Sequence, residues 1–170
     1  MENAHRPAGA AATLEAAAKP AAYRELLQNL AAVLPACDHD AVAIMASAAC
    51  LLREALPYAS WAGFYRVVAP GLLRVGPYQG PLGCLEIPFD RGVCGAAARE
   101  RRTQLVADVH AFPGHIACDA AARSELVVPV VDRAGELVAV LDLDSHEPAA
   151  FDAADRDGVE AVARLLAEHL

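Results

Sequence analysis

The chain has 170 residues, 56% of them hydrophobic and 21% charged, a composition that suits one compact domain and excludes collagen, a disordered regulator and a disulfide-dense miniprotein. A domain of this length buries roughly 70% of the surface its unfolded chain exposes, so its core needs no structural metal. Lys and Arg number 14 against 22 Asp and Glu, a net charge of −8 that repels phosphate backbones and argues against a nucleic-acid partner.

Residues 1 to 20 are alanine-rich, broken by Pro7, Gly9 and Pro20, and without a period of large apolar side chains they read as a loose or partly helical tail. From Tyr23 the spacing of Leu26, Leu27, Leu30 and Leu34 predicts a helix stopped by Pro35. A second helix, capped by Asp38 or Asp40, runs through Ile44, Met45, Ala48 and Leu51 to about Leu56. The segment from Ser60 to Val68 and that from Leu72 to Gln79 form a hairpin about Pro70-Gly71. Further strands are expected at 85–89, 103–107, 125–131 and 136–144, with a short helix beginning near Val93 and a closing helix after Asp152 or Asp155 that ends at Leu166. The basic patch of Arg99, Arg101 and Arg102 falls where that short helix ends and cations suit its dipole. The order implies an α+β domain over residues 21–170, an antiparallel sheet with helices packed on one face.

The opening Met-Glu-Asn-Ala-His-Arg-Pro is unlike a secretory signal, and the apolar stretch Ala41 to Leu52 is too short to span a bilayer. A soluble, cytoplasmic protein with reduced thiols and no membrane partner is expected. Of the cysteines, Cys37 and Cys50 read as packing residues. Cys84, Cys94 and Cys118 lie in Gly- and Pro-rich settings of the kind that carry reactive groups. Cys94, in the first turn of a helix, is placed for the dipole to favour its thiolate. Cys118 follows His115, an imidazole that could polarise it or serve as an ordinary loop hydrogen-bonder. Cys84, Cys94, Cys118 and His115 together make a weak zinc set, since zinc sites bring ligands together in closely spaced pairs.

In Leu141-Asp142-Leu143-Asp144-Ser145 the two aspartates share one strand face. They either face water or, with Glu125 from a neighbouring strand, converge on a pocket where repulsion and desolvation would keep one acid protonated as a proton donor. Trp61 and Tyr65 share a face at strand spacing and suit either a ligand wall or the core.

Trp61-Ala-Gly-Phe-Tyr, Gly76-Pro-Tyr-Gln-Gly80, Gly92-Val-Cys-Gly95, Phe112-Pro-Gly-His-Ile-Ala-Cys-Asp119, Ser124-Glu-Leu-Val-Val-Pro129 and Leu141-Asp-Leu-Asp-Ser145 together resemble the free methionine-(R)-sulfoxide reductases, enzymes built on a GAF domain. The resemblance runs from about Tyr23 to the C-terminus. It implies that Cys118 is the nucleophile, that Cys84 closes a disulfide with it, and that Cys94 is an auxiliary or alternative partner. It further implies that Glu125, Asp142 and Asp144 bind substrate, with Trp61 and Tyr65 as pocket aromatics. Asp90 stands where the family usually has glycine, a change that could alter the mobility of the Cys94 loop, and Tyr78 replaces a usual phenylalanine.

The chemistry agrees with the resemblance: a thiolate attacks sulfur while an acid protonates the departing oxygen, and a second cysteine condenses with the resulting sulfenic acid. Ionised acids would hold the ammonium of the free amino acid, backbone N–H groups from Ile116 through Ala117 to Cys118 its carboxylate, and Trp61 its methyl. The resemblance suggests thioredoxin as reductant and a homodimer as the working form, with no metal or organic cofactor. The alternatives are a non-catalytic GAF module that senses a small ligand, since fold does not fix function, and a zinc-bound structural protein.

Overall fold

Strand alternation sets the layers of the fold. The computed structural model describes residues 15–116 and 118–170. Helix α1 (Lys19–Val33) is followed by a 3-10 turn at Leu34–Cys37 and by α2 (Ala41–Ala55); β1 (Trp61–Ala69), β2 (Leu72–Gln79) and β3 (Glu86–Pro88) come next. After these come α3 (Gly92–Glu100), β4 (Gln104–Val106), β5 (Ser124–Val131), β6 (Leu137–Ser145) and α4 (Ala153–Ala167). The strands make one six-stranded sheet in the order β3-β2-β1-β6-β5-β4, with every neighbouring pair antiparallel.

Local chemistry explains the boundaries. Asp40 caps α2 by accepting from the N–H groups of Val42 and Ala43, and Asp152 opens α4 in a reciprocal capping box with Asp155. Pro35 sits where α1 gives way to the 3-10 turn, and the chain reverses at Asp38 and His39, both at positive φ. The tail boundary expected at residue 20 falls too late. Lys19 and Pro20 already belong to α1, Pro20 because the first helical turn needs no N–H there, and Lys19 because its ammonium is buried against Asp155 and Asp152. Residues 1–14 lie outside the described part.

One sheet face presents Ala62, Phe64, Leu126, Val128, Leu141 and Leu143 to α1, α2 and α4. At the α1–α4 crossing a Cβ on Gly158 would stand 2.3 Å from the Tyr23 ring, so the helices meet this closely only over glycine. The opposite face carries Trp61, Tyr65, Val127 and Val140 and is covered by Cys94, Ala97 and Ala98 of α3. Cys50, expected to pack, instead lies on the exposed side of α2. Asp90 introduces no strain, because its φ is not positive. Among the described residues no helix is long and apolar enough to cross a membrane.

Candidate active site

Strand register gathers the acids. Asp144 on β6 stands opposite Trp61 of β1 on one side and Glu125 of β5 on the other, and one pleat along, Asp142 lies between Gly63 and Val127. Glu125 and Asp142 are 7% and 4% exposed, so of the two sequence readings the structure selects the convergent one. Glu125, Asp142 and Asp144 line a narrow cavity of about 360 Å³, including its open mouth, with Ile87, Val93, Cys94 and Ile116 among the other walls.

Burial dominates the titration of these groups. It pushes Glu125 well above the usual carboxylate range, and the charges of Asp142 and Asp144 push it further. Asp144 is driven the same way by burial, then by Asp142 and Asp119, against an opposing pull from His146. Burial raises Asp142 to about 7, with hydrogen bonds from Cys94, Glu125 and the Leu143 backbone holding it down. The cavity therefore favours the protonated form of these acids.

Cys94 enters from α3. Its Sγ lies 3.8 Å from Glu125 Oε1 and the residue is 3% exposed. The expectation of a dipole-stabilised thiolate is overturned. Burial, followed by the negative charges of Asp142, Glu125 and Asp144, pushes the thiol well above its ordinary value, and a partial helix charge does not offset three nearby acids.

Cys84 and Cys118 are joined in a disulfide, with Cα atoms 5.0 Å apart. That bond removes both sulfurs from the zinc set considered for Cys84, Cys94, Cys118 and His115. Among the described residues, the side chains that do assemble with metal-ligand spacing are Cys94, Glu125 and Asp142. Cys118 lines the cavity, and its N–H donates to Ile116 O at 2.9 Å, so this donor, expected to bind a carboxylate, is already engaged. Ala117 lies outside the described residues. His115 lines the same cavity with Nδ1 buried and without a partner among the described residues. Burial, then neighbouring His110, lowers its pKa, which keeps the imidazole neutral and argues against a charged partner for Cys118.

The aromatics stand on the same sheet face without lining the cavity. Trp61 stacks between Tyr65 and Tyr78, with centroids 5.6 and 5.1 Å away, and donates from Nε1 to Pro81 O at 3.1 Å. A Cβ on Gly83 would come within 2.8 Å of the Tyr65 hydroxyl; glycine thus lets the segment carrying Cys84 lie directly on the rings. Trp61 and Tyr65, both 2% exposed, act here as a platform for that segment. Tyr78 is the third ring of the stack.

Asp119 was missed as a positioning group. It lines the cavity, accepts from Ala121 N and pairs with His146 Nε2 at 2.9 Å, tying the Cys118 segment to the end of β6. The Cys-Asp sequence was the only local signal, and nothing along the chain pointed to His146.

The GAF domain family model matches residues 39–170. A free methionine-R-sulfoxide reductase of Escherichia coli (strain K12) is 40% identical over 84% of this chain and 86% of its own. The structure of free methionine-R-sulfoxide reductase from Neisseria meningitidis with its substrate superposes with a TM-score of 0.84 at 41% identity, covering 94% of this chain and 95% of that one. A Burkholderia vietnamiensis protein taken for a GAF sensor also reaches 0.84, at 45% identity over 89% and 94% of the two chains.

Proposed function

The chain belongs to the free methionine-R-sulfoxide reductases, a family built on the GAF domain, and from that membership we propose that it reduces free L-methionine-(R)-sulfoxide to methionine. The observation that carries the reading is the Cys84–Cys118 disulfide set against a cavity walled by three buried or half-buried acids. In the reduced enzyme the Cys118 thiolate adds to the sulfoxide sulfur while an acid of the Glu125, Asp142 and Asp144 cluster protonates the oxygen. Oxygen passes to Cys118 as a sulfenic acid and methionine leaves. The Cys84 sulfur then displaces that oxygen as water and forms the disulfide, so two thiols supply the two electrons that the sulfoxide takes up. Cys94, whose thiol is held protonated, is auxiliary.

Asp142, with its carboxyl at about 7, is the member of the cluster that ionises to hold the substrate ammonium. For the substrate carboxylate, His115, whose Nδ1 has no partner among the described residues, and the N–H groups of the first turn of α3 after Gly92, whose own N–H donates to Gly114 O, offer donors. Trp61 covers the methyl only once the Cys84 segment has left the ring stack. A thioredoxin-type dithiol as reductant, a homodimeric working form and a cytoplasmic location complete the reading by resemblance.

The test supplies each sulfoxide epimer with dithiothreitol and purified protein. The R epimer should be converted and the S epimer left, and Cys118→Ser should fall to background while Cys94→Ser retains turnover. Full activity in Cys118→Ser, or conversion of neither epimer, overturns the mechanism. Ligand binding without turnover would favour the sensor reading suggested by the Burkholderia relative.

A further inference from the structure

Cys94, Glu125 and Asp142 offer one sulfur and two carboxylate oxygens that all lie within 4.8 Å of one another, and each residue is buried. Asp142 Oδ1 is buried with no hydrogen-bond partner among the described residues, although its residue lines the cavity. An orphaned carboxylate oxygen that is buried is costly and is the kind of group a cation would satisfy. Among the described residues no Lys or Arg lines the cavity, whose walls hold Asp119 and Asp144 besides the trio's own acids. A thiolate disfavours the hard cations calcium and magnesium, whereas one sulfur with two oxygens suits a borderline divalent ion.

We propose that Cys94, Glu125 and Asp142 form a Zn²⁺ site that leaves one coordination position open to the cavity. Ligand atoms on a tetrahedral zinc, with Zn–S about 2.3 Å and Zn–O about 2.0 Å, lie roughly 3.5 Å apart. The 3.8 Å between Cys94 Sγ and Glu125 Oε1 already approaches that spacing. Binding releases the thiol proton of Cys94, and any proton the two carboxyls hold, to solvent; no oxidation accompanies it. The ion is not a cofactor of the reduction. It occupies the acids that the proposed reaction uses, so zinc and sulfoxide compete.

Co²⁺ substitutes for Zn²⁺ as a spectroscopic probe in a Cys37→Ser, Cys50→Ser background. With the Cys84–Cys118 bond intact, Cys94 is the sole thiol. One equivalent of Co²⁺ should give a near-ultraviolet thiolate-to-cobalt band that one equivalent of Zn²⁺ abolishes. Cys94→Ser should lose the band, and Asp142→Asn should weaken Co²⁺ binding at least about tenfold. No band in the parent, or an unchanged band in either variant, overturns the site. The readout needs no turnover, so a missing band leaves the reductase reading intact, and a band without sulfoxide reduction overturns that reading alone.

Discussion

Asp142 is the residue whose environment makes the clearest thermodynamic demand. Burial raises its carboxyl to about 7 in the fold, whereas in the unfolded chain it titrates near 4. The native state therefore holds a proton that the unfolded state releases between those values. The associated stability is fully present below about pH 4 and is lost as pH rises through about 7. Denaturant midpoints should fall across this window, with Asp142 contributing a slope of up to ~1.4 kcal/mol per pH unit. Asp142→Asn should flatten the profile, and a profile as steep as the parent's would contradict the assignment. Alternation along β6 and Glu125 ahead of an apolar run were enough to put the acids on one face. The fate of Cys94 was not legible in the same way. Helix position along the chain suggested a thiolate, but burial raises the thiol first, and then the charges of Asp142 and Glu125, which arrive from strands 48 and 31 residues away.

Among the elements, those bounded by local chemistry were legible and those bounded by distant contacts were not. The caps Asp40 and Asp152 and the Pro70-Gly71 turn fix their elements within a few residues of chain. Trp61 and Tyr65 satisfied the pattern for both a ligand wall and a core, and only the Cys84 segment lying over them decides between the two. Among its described residues, the segment from Phe112 to Ala122 forms no strand or helix after the Val109–Ala111 turn. It depends on short backbone turns and the Asp119–His146 contact. His146 is half exposed, so the pair contributes about 0–1 kcal/mol to global stability. Its effect should be local. His146→Ala should leave the denaturant midpoint nearly unchanged while amide exchange from Cys118 to Ala122 accelerates several-fold and KM for the sulfoxide rises more than kcat falls. Unchanged exchange would show that the backbone turns alone hold the segment.

At the scale of the whole molecule, the two ends of the domain are joined by buried polar chemistry. Asp155 at the start of α4 accepts hydrogen bonds from Lys19, Tyr23 and Tyr58, and Asp152 adds a second carboxylate to Lys19 at 2.9 Å. One carboxylate thus ties the first residue of α1 and the approach to β1 to the beginning of the last helix, across 136 residues of chain between Lys19 and Asp155. Polar residues this far apart leave no local pattern, which is why the alanine-rich composition placed the boundary just past Lys19. Removing one partner of a buried pair leaves the other charge uncompensated, at a cost of about 3–5 kcal/mol. Two truncations isolate that contribution, because chains starting at residue 19 and at residue 21 differ only in Lys19 and Pro20. The shorter chain should unfold at lower urea by an amount equivalent to about 3 kcal/mol. Asp155→Asn introduced into both should shrink the gap, since a neutral amide no longer needs the ammonium. Equal stability of the two truncated chains would mean that the two tyrosine hydroxyls satisfy Asp155 alone, and the domain could then begin at residue 21.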